Sequence, residues 1–425
     1  MDFKITRLDN GLQVVTAPMP GMYSVTASVI VTVGSRHETD QQAGSAHLIE
    51  HMLFKGTEKR PTAEVISETI ERVGGLLNAS TDKDLTVYWA KVSKDKADLA
   101  MDLLSDMVLH SQFARSEVEK ERRVVIEELG MSIDSPQDWV HTLIDEQCWP
   151  GTPLGRDVAG SKDSVASLTR DGLVQFMRQH YRPDTTIVSL AGGISHEAGI
   201  ELARSMFGRW NADTSSPSDG FIPIDYPRLP PVILYDERGT EQVNMCVASR
   251  GIARTSPDRY AFELLTSILG GSMSSRLFLE IRERRGLAYD IHSYGNTVAD
   301  TGSLVTYAAV EPKHCIDVVD EVIKQMNLLK SGNVTLAELD KVKDNHKGRL
   351  LLGLEDTQSV AGWCGVQLAL YGEIRKPEEV CDDVDRVTLE DVQRIAVECF
   401  QSDYLRLVAL GPASGAMGLQ HVLHL

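Results

Sequence analysis

One stretch of this chain, NADTSSPSDGFIPIDYPRLPP at residues 211–231, limits the folds open to it more than any other. Its prolines lack a backbone donor, and its Gly, Asp, Asn and Ser residues favour turns, so it breaks the apolar periodicity on either side. The break leaves pieces of about 210 and 195 residues, each long enough to bury a core of its own. We expect a domain at 1–210, a linker at 211–231 and a second domain at 232–425.

Both pieces mix strand-like and helix-like periods. In the first, MDFKITRLDNGLQVV reads as two short strands turned at Asn10-Gly11, a dipeptide favoured in hairpins. Strand-like runs follow at 23–34 and 85–92, and helical runs at 43–54, 62–73, 96–110 and 116–130. The second piece repeats this order loosely, with strands at 242–251 and 303–311 and helices at 258–270, 274–286, 316–329 and 336–352. An α+β fold of two similar domains, each a mixed or antiparallel sheet packed with helices, is the architecture this order predicts.

Composition narrows the function. Lys plus Arg number 43 against 61 Asp plus Glu, a formal net charge of −18, which argues against a general nucleic-acid binder. A hydrophobic fraction of 42% is too high for a disordered chain. No apolar run reaches membrane-spanning length, and no targeting segment precedes the first strand, so a cytoplasmic protein without a membrane partner is expected. The cysteines lie far apart without CxxC spacing, which points to reduced thiols rather than a disulfide framework or a cysteine metal site.

The sharpest local signal is AHLIEHMLFKG. His47 and His51 are four apart and share one helix face, and Glu50 stands just before the second histidine. Two imidazoles supply half of a tetrahedral zinc shell, and a nearby carboxylate is placed to take a proton from a water on the metal. This is the HxxEH, or inverzincin, arrangement. The competing reading of the two histidines is that of ordinary surface or core residues on an amphipathic helix.

A catalytic site needs a third protein ligand and one open position. The helix SEVEKERRVVIEEL offers it: Glu121 and Glu128 are two turns apart on roughly one face. Glu128 could bind the metal while Glu121 supports a histidine through its other ring nitrogen. Helical spacing leaves the adjacent Glu127 open, and a solvent face of acids paired to Arg122 and Arg123 is the competing reading.

With these motifs the chain resembles the M16 metallopeptidases, particularly the bacterial peptidases and mitochondrial processing peptidase subunits of similar length, through essentially its whole extent. The resemblance implies a Zn2+ site held by His47, His51 and Glu128, which stands 77 residues after His51, with Glu50 as general base and Glu121 as the supporting acid. It also implies that GGLLNASTDKDLTVY is a turn and edge strand beside the zinc, where Asn78 and Ala79 line the cleavage position and pair with an extended peptide.

In the second piece, RERRGLAY matches the family's arginine and tyrosine pair at Arg282 and Tyr289. A guanidinium and a phenol suit a substrate carbonyl on which negative charge develops. The resemblance further implies two domains facing each other around a peptide chamber. It implies a homodimer, or a heterodimer with a paralogous chain. The expected activity is that of a zinc metalloendopeptidase on short or unfolded peptides. A non-catalytic scaffold or assembly subunit of the same fold is the alternative.

Overall fold

Residues 4–18 form the hairpin expected at Asn10-Gly11, with β1 (Lys4–Arg7) antiparallel to β2 (Gln13–Pro18). The computed structural model describes residues 2–211, 221–419 and 422–425. Part of the expected linker, 212–220, therefore lies outside the described residues.

The first compact unit draws on Met1–Leu129, Asp157–Phe221 and Leu350–Pro377. Its remaining strands are β3 (Ser24–Val31), β4 (Leu76–Thr81), β5 (Thr86–Ser93) and β6 (Thr186–Gly192). They build one six-stranded sheet in the order β1-β2-β6-β3-β5-β4, parallel only between β2 and β6. Side chains alternate across a strand, and here both faces are covered. Val25, Ala27, Val29 and Val31 of β3 enter the main core with Leu48, Ile49 and Met52 of the helix Ser45–Leu53. Ile30 points to the other face, with Val15 and Ile187, against Val360, Ala361, Cys364 and Leu368. Those four residues belong to the helix Thr357–Tyr371, which comes from the far end of the chain. Polar bonds fix it: Thr357 meets Thr26 at 2.9 Å, and Ser189 donates to the Ala361 carbonyl at 2.7 Å.

The second unit draws on Gly130–Arg156, Ile222–Arg349 and Glu378–Leu425. It holds β7 (Val232–Glu237), β8 (Val243–Arg250), β9 (Ala288–Thr297), β10 (Gly302–Val310) and β11 (Arg406–Gly411). Their order is β7-β11-β8-β10-β9, parallel only between β7 and β11. One face of this sheet packs on Val140, Ile144 and Cys148 of the helix Pro136–Cys148, which comes from the first half of the chain.

The units are thus interleaved, whereas the expected boundaries (1–210, 211–231 and 232–425) follow one cut. Each sheet takes a covering helix from across that cut, because a sheet apolar on both faces needs two helical layers. All six cysteines are free thiols, five of them buried. Among the described residues, no helix is long and apolar enough to cross a membrane.

Candidate metal centre and substrate-binding residues

The helix that carries the HxxEH motif is anchored before it begins. Gly44, at φ 91°, turns the chain in the left-handed region, and a Cβ there would lie 2.5 Å from the Ala159 carbonyl oxygen. Only glycine meets both demands cheaply. The buried Glu38 carboxylate then accepts from the Gly44 and Ala46 backbone N–H groups at 2.9 and 2.7 Å, placing negative charge at the positive end of the helix. Ala46, Leu48, Ile49, Met52 and Leu53 are buried in the core. His47, Glu50 and His51 are left on the less buried face.

One donor atom each from His47, His51 and Glu128 lies within 4.8 Å of the others. The rings of His47 and His51 stand 4.7 Å apart. Nδ1 of His51 meets Oε2 of Glu121 at 3.2 Å, and its Nε2 is 3.6 Å from Oε2 of Glu128. Glu121 is only 1% exposed and also accepts from Lys55 Nζ at 2.9 Å. Lys55 was not singled out from the sequence; it lies just past the end of the motif helix, Ser45–Leu53, where helical spacing no longer fixes its direction.

Burial, and then the neighbouring His51, lower the His47 pKa to about 4, so its imidazole is neutral near pH 7, the form that binds a metal. Nδ1 of His47 is buried without a hydrogen-bond partner among the described residues. An orphaned buried nitrogen costs free energy unless something binds it. Two imidazoles and one carboxylate, with room for a fourth group, are the donor set of a catalytic zinc. The residues present therefore fit the ion.

The helix Arg115–Asp134 delivers the two acids. Arg122 does not hold them: its guanidinium donates to the Ala166 and Leu168 carbonyls at 2.8 and 2.9 Å and pairs with Glu119. The donor group contains Glu128 and not Glu127. Adjacent helical residues point about 100° apart, so only one of the two can share a face with Glu121.

Glu50, on the same helix and close enough to His51 and Glu128 to feel their charge, reaches the edge of the sheet, where the Thr81 hydroxyl donates to its Oε2 at 2.5 Å. Burial raises the Glu50 pKa, and the Thr81 bond offsets only part of that. Thr81 ends β4, the outermost strand, and was also missed in the sequence. Asn78 and Ala79 lie mid-strand, paired with Trp89 and Tyr88 of β5, and the other edge of β4 pairs with no strand among the described residues. The Ala79 N–H is satisfied by Asn78 Oδ1 at 2.8 Å.

Arg282 and Tyr289 belong to the second unit. The expected helix there is π-helical over Phe278–Arg284, a form that recurs at functional sites. Arg282 rides 4.9 Å from the Phe278 ring centre and 5.2 Å from that of Tyr289. Tyr289, on β9, is 76% exposed.

Comparison with known proteins gives a consistent pattern. Residues 13–162 match the family model described as Insulinase (Peptidase family M16), and residues 167–345 match that of the Peptidase M16 inactive domain. A Bacillus subtilis protein named uncharacterized zinc protease YmxG is 35% identical over 408 residues, 96% of this chain and 98% of its own length. A Mycobacterium leprae protein, also named an uncharacterized zinc protease, is 36% identical over 425 residues, 99% of this chain and 94% of its own. A solved structure of a protease from Helicobacter pylori superposes with a TM-score of 0.91 at 24% identity, covering 97% of this chain and 99% of that one. That likeness shows the two-domain α+β fold.

Proposed function

The chain belongs to peptidase family M16, and from that premise we propose that it is a zinc-dependent endopeptidase acting on short or unfolded peptides. The observation that carries this reading is the convergence of His47, His51 and Glu128, with Glu50 beside them outside that donor set and held by the Thr81 hydroxyl. A zinc ion in that set supplies acidity to a water and polarisation to a carbonyl oxygen.

The chain's own residues do the rest. Glu121 takes the Nδ1–H of His51, which fixes the tautomer that leaves the Nε2 lone pair for a metal. Glu50 accepts the proton of the attacking water and later delivers it to the leaving amine, and its buried site, which favours the protonated acid, suits the second half of that cycle. The free edge of β4 at Asn78 and Ala79 pairs with an extended peptide backbone, a mode that reads main chain more than side chain. In this reading, Arg282 and Tyr289 meet the negative charge that develops on the substrate carbonyl. Because one chain carries both sets of residues, two identical copies suffice, and we assign a cytoplasmic homodimer.

The test is digestion of a peptide library by purified, zinc-loaded protein, read by mass spectrometry beside E50Q. The parent is expected to cleave internal bonds, and E50Q to keep its zinc while losing roughly 10²–10⁴-fold or more in rate. Cleavage by zinc-loaded E50Q near the parent rate removes Glu50 as the base. A zinc-loaded parent that cleaves nothing leaves the scaffold reading in its place.

A further inference from the structure

A cavity of about 630 Å³ lies within the first unit, between the end of the helix Ala97–His110, the helix Arg170–His180 and the residues that follow the helix His196–Phe207. That volume falls in the range of roughly 300–1,000 Å³ used by small-molecule sites. It holds none of the residues assigned above to zinc or peptide.

Its lining reverses the character of the protein. The chain carries a net charge of −18, yet Arg170, Arg178 and Arg209 stand at this cavity, and among the described residues no Asp or Glu lines it. Met177, Met206 and Trp210 add an apolar and aromatic wall. Arg178 and Arg209 are exposed and make no ion pair among the described residues. Cations near helix C-termini complement the helix dipole without any ligand, and Arg178 and Arg209 both stand near such ends. That accounts for their charge, and it leaves the cavity and its aromatic wall unexplained.

The third arginine builds the wall. Arg170 Nε donates to the Phe113 carbonyl at 2.7 Å, and its Nη1 pairs with Asp171 at 3.2 Å. Phe113 is buried and has φ 48°, the one positive φ outside glycine among the described residues. Gln112 donates to the Gly56 and Thr57 carbonyls at 3.1 and 3.0 Å, which pins the same loop from the other side. A bulky residue persists in that region only when its surroundings over-determine it. One arginine is thus spent on the frame of the cavity, and the other two line it while remaining exposed.

We propose that this cavity binds an organic anion, a single carboxylate or phosphate carried on an apolar or aromatic body. The body lies against Met177, Met206 and Trp210, and the anionic head is met by Arg178 and Arg209. An arginine fork suits either head, so the chemistry they share is what the site selects.

The probe is 8-anilino-1-naphthalenesulfonate, an aromatic anion whose fluorescence rises on binding, titrated into the full chain. Saturable binding is expected, displaced by N-acetylphenylalanine or phenyl phosphate and not by N-acetylphenylalanine amide. The stronger competitor identifies the preferred head. R178A/R209A should weaken probe binding at least tenfold at an unchanged melting temperature, and R178K/R209K, which keeps the charge, should recover most of it. Equal binding by R178A/R209A, equal displacement by the neutral amide, or no saturable binding overturns the proposal.

Discussion

Nδ1 of His51 stands 3.2 Å from Oε2 of Glu121, a carboxylate almost wholly buried, and this pair decides which nitrogen of the ring is left for other work. Lys55 Nζ holds the other carboxylate oxygen at 2.9 Å, so the acid cannot swing away. A buried charge bonded on both sides is tolerated, whereas the same charge with a partner removed is costly. The ring of His51 is consequently aimed before any metal arrives, its Nε2 towards Glu128.

Glu121→Ala is expected to lower zinc affinity about 10–100-fold, the usual cost of losing an orienting partner. Competition against a chromophoric chelator measures it. Unchanged affinity would reduce Glu121 to a counter-ion for Lys55.

The choice between neighbouring acids is equally open to measurement. Glu128→Ala should abolish stoichiometric zinc, and Glu127→Ala should leave it intact, as read by metal analysis after dialysis. The reverse result transfers the third ligand to Glu127.

Tyr289→Phe removes one hydroxyl from an exposed ring, so stability and zinc content should hold while kcat/KM falls. Loss of a single oxyanion donor costs about 2.7–4 kcal/mol in other enzymes. A silent substitution, with zinc and melting temperature also unchanged, would make Tyr289 an ordinary strand residue.

Arg60 is buried between Asp102 and Asp106, 2.6 Å from each, and Thr57 also donates to Asp106. Burial would raise the Asp102 pKa, yet hydrogen bonds from Lys59 and Arg60 outweigh it and hold the group below its usual range. A depressed carboxyl pKa stabilises the fold above the unfolded value, near 4, and loses that contribution as pH falls through the folded value. Arg60→Ala should therefore cost about 3–5 kcal/mol near neutrality, chiefly by taking the guanidinium from the buried Asp106, while the half-buried Asp102 keeps Lys59. In denaturant melts the gap to the parent should narrow below about pH 4, as the depressed Asp102 carboxyl takes up its proton. A gap that widens on acidification contradicts the assignment.

Gly365 lies where the helix Thr357–Tyr371 meets the first sheet, and a Cβ there would fall 2.5 Å from Ile30 Cδ1 and 2.9 Å from Ser189 Cβ. Gly365→Val should destabilise by about 1–3 kcal/mol through overpacking. Gly362→Ala, with nothing within 4 Å of its Cβ, should stabilise by about 0.5–1 kcal/mol through helix propensity. Equal effects at the two sites would place this helix elsewhere.

Local spacing made much of this legible. The i,i+4 pair of His47 and His51, the strand runs and the Asn10-Gly11 hairpin all depend on periods of 3.6 or 2 that neighbouring residues impose on one another. The same logic stopped at the helix Arg115–Asp134. Its own spacing could relate Glu121 to Glu128, but which acid faces His51 depends on how that helix is rotated against another one, and no residue within it records that angle. Thr81 was missed for the same reason, since its role exists only where the end of β4 passes Glu50.

The sequence by itself determined the motif helix, the α+β class and the family, because each rests on short-range periodicity or on a pattern spread along the whole chain. Only the tertiary structure decided that Thr357–Tyr371 covers the first sheet and Pro136–Cys148 the second. Both helices satisfy a demand set by strands far away in sequence: a sheet apolar on both faces must be covered twice, and the chain supplies the second layer from whichever segment can reach it.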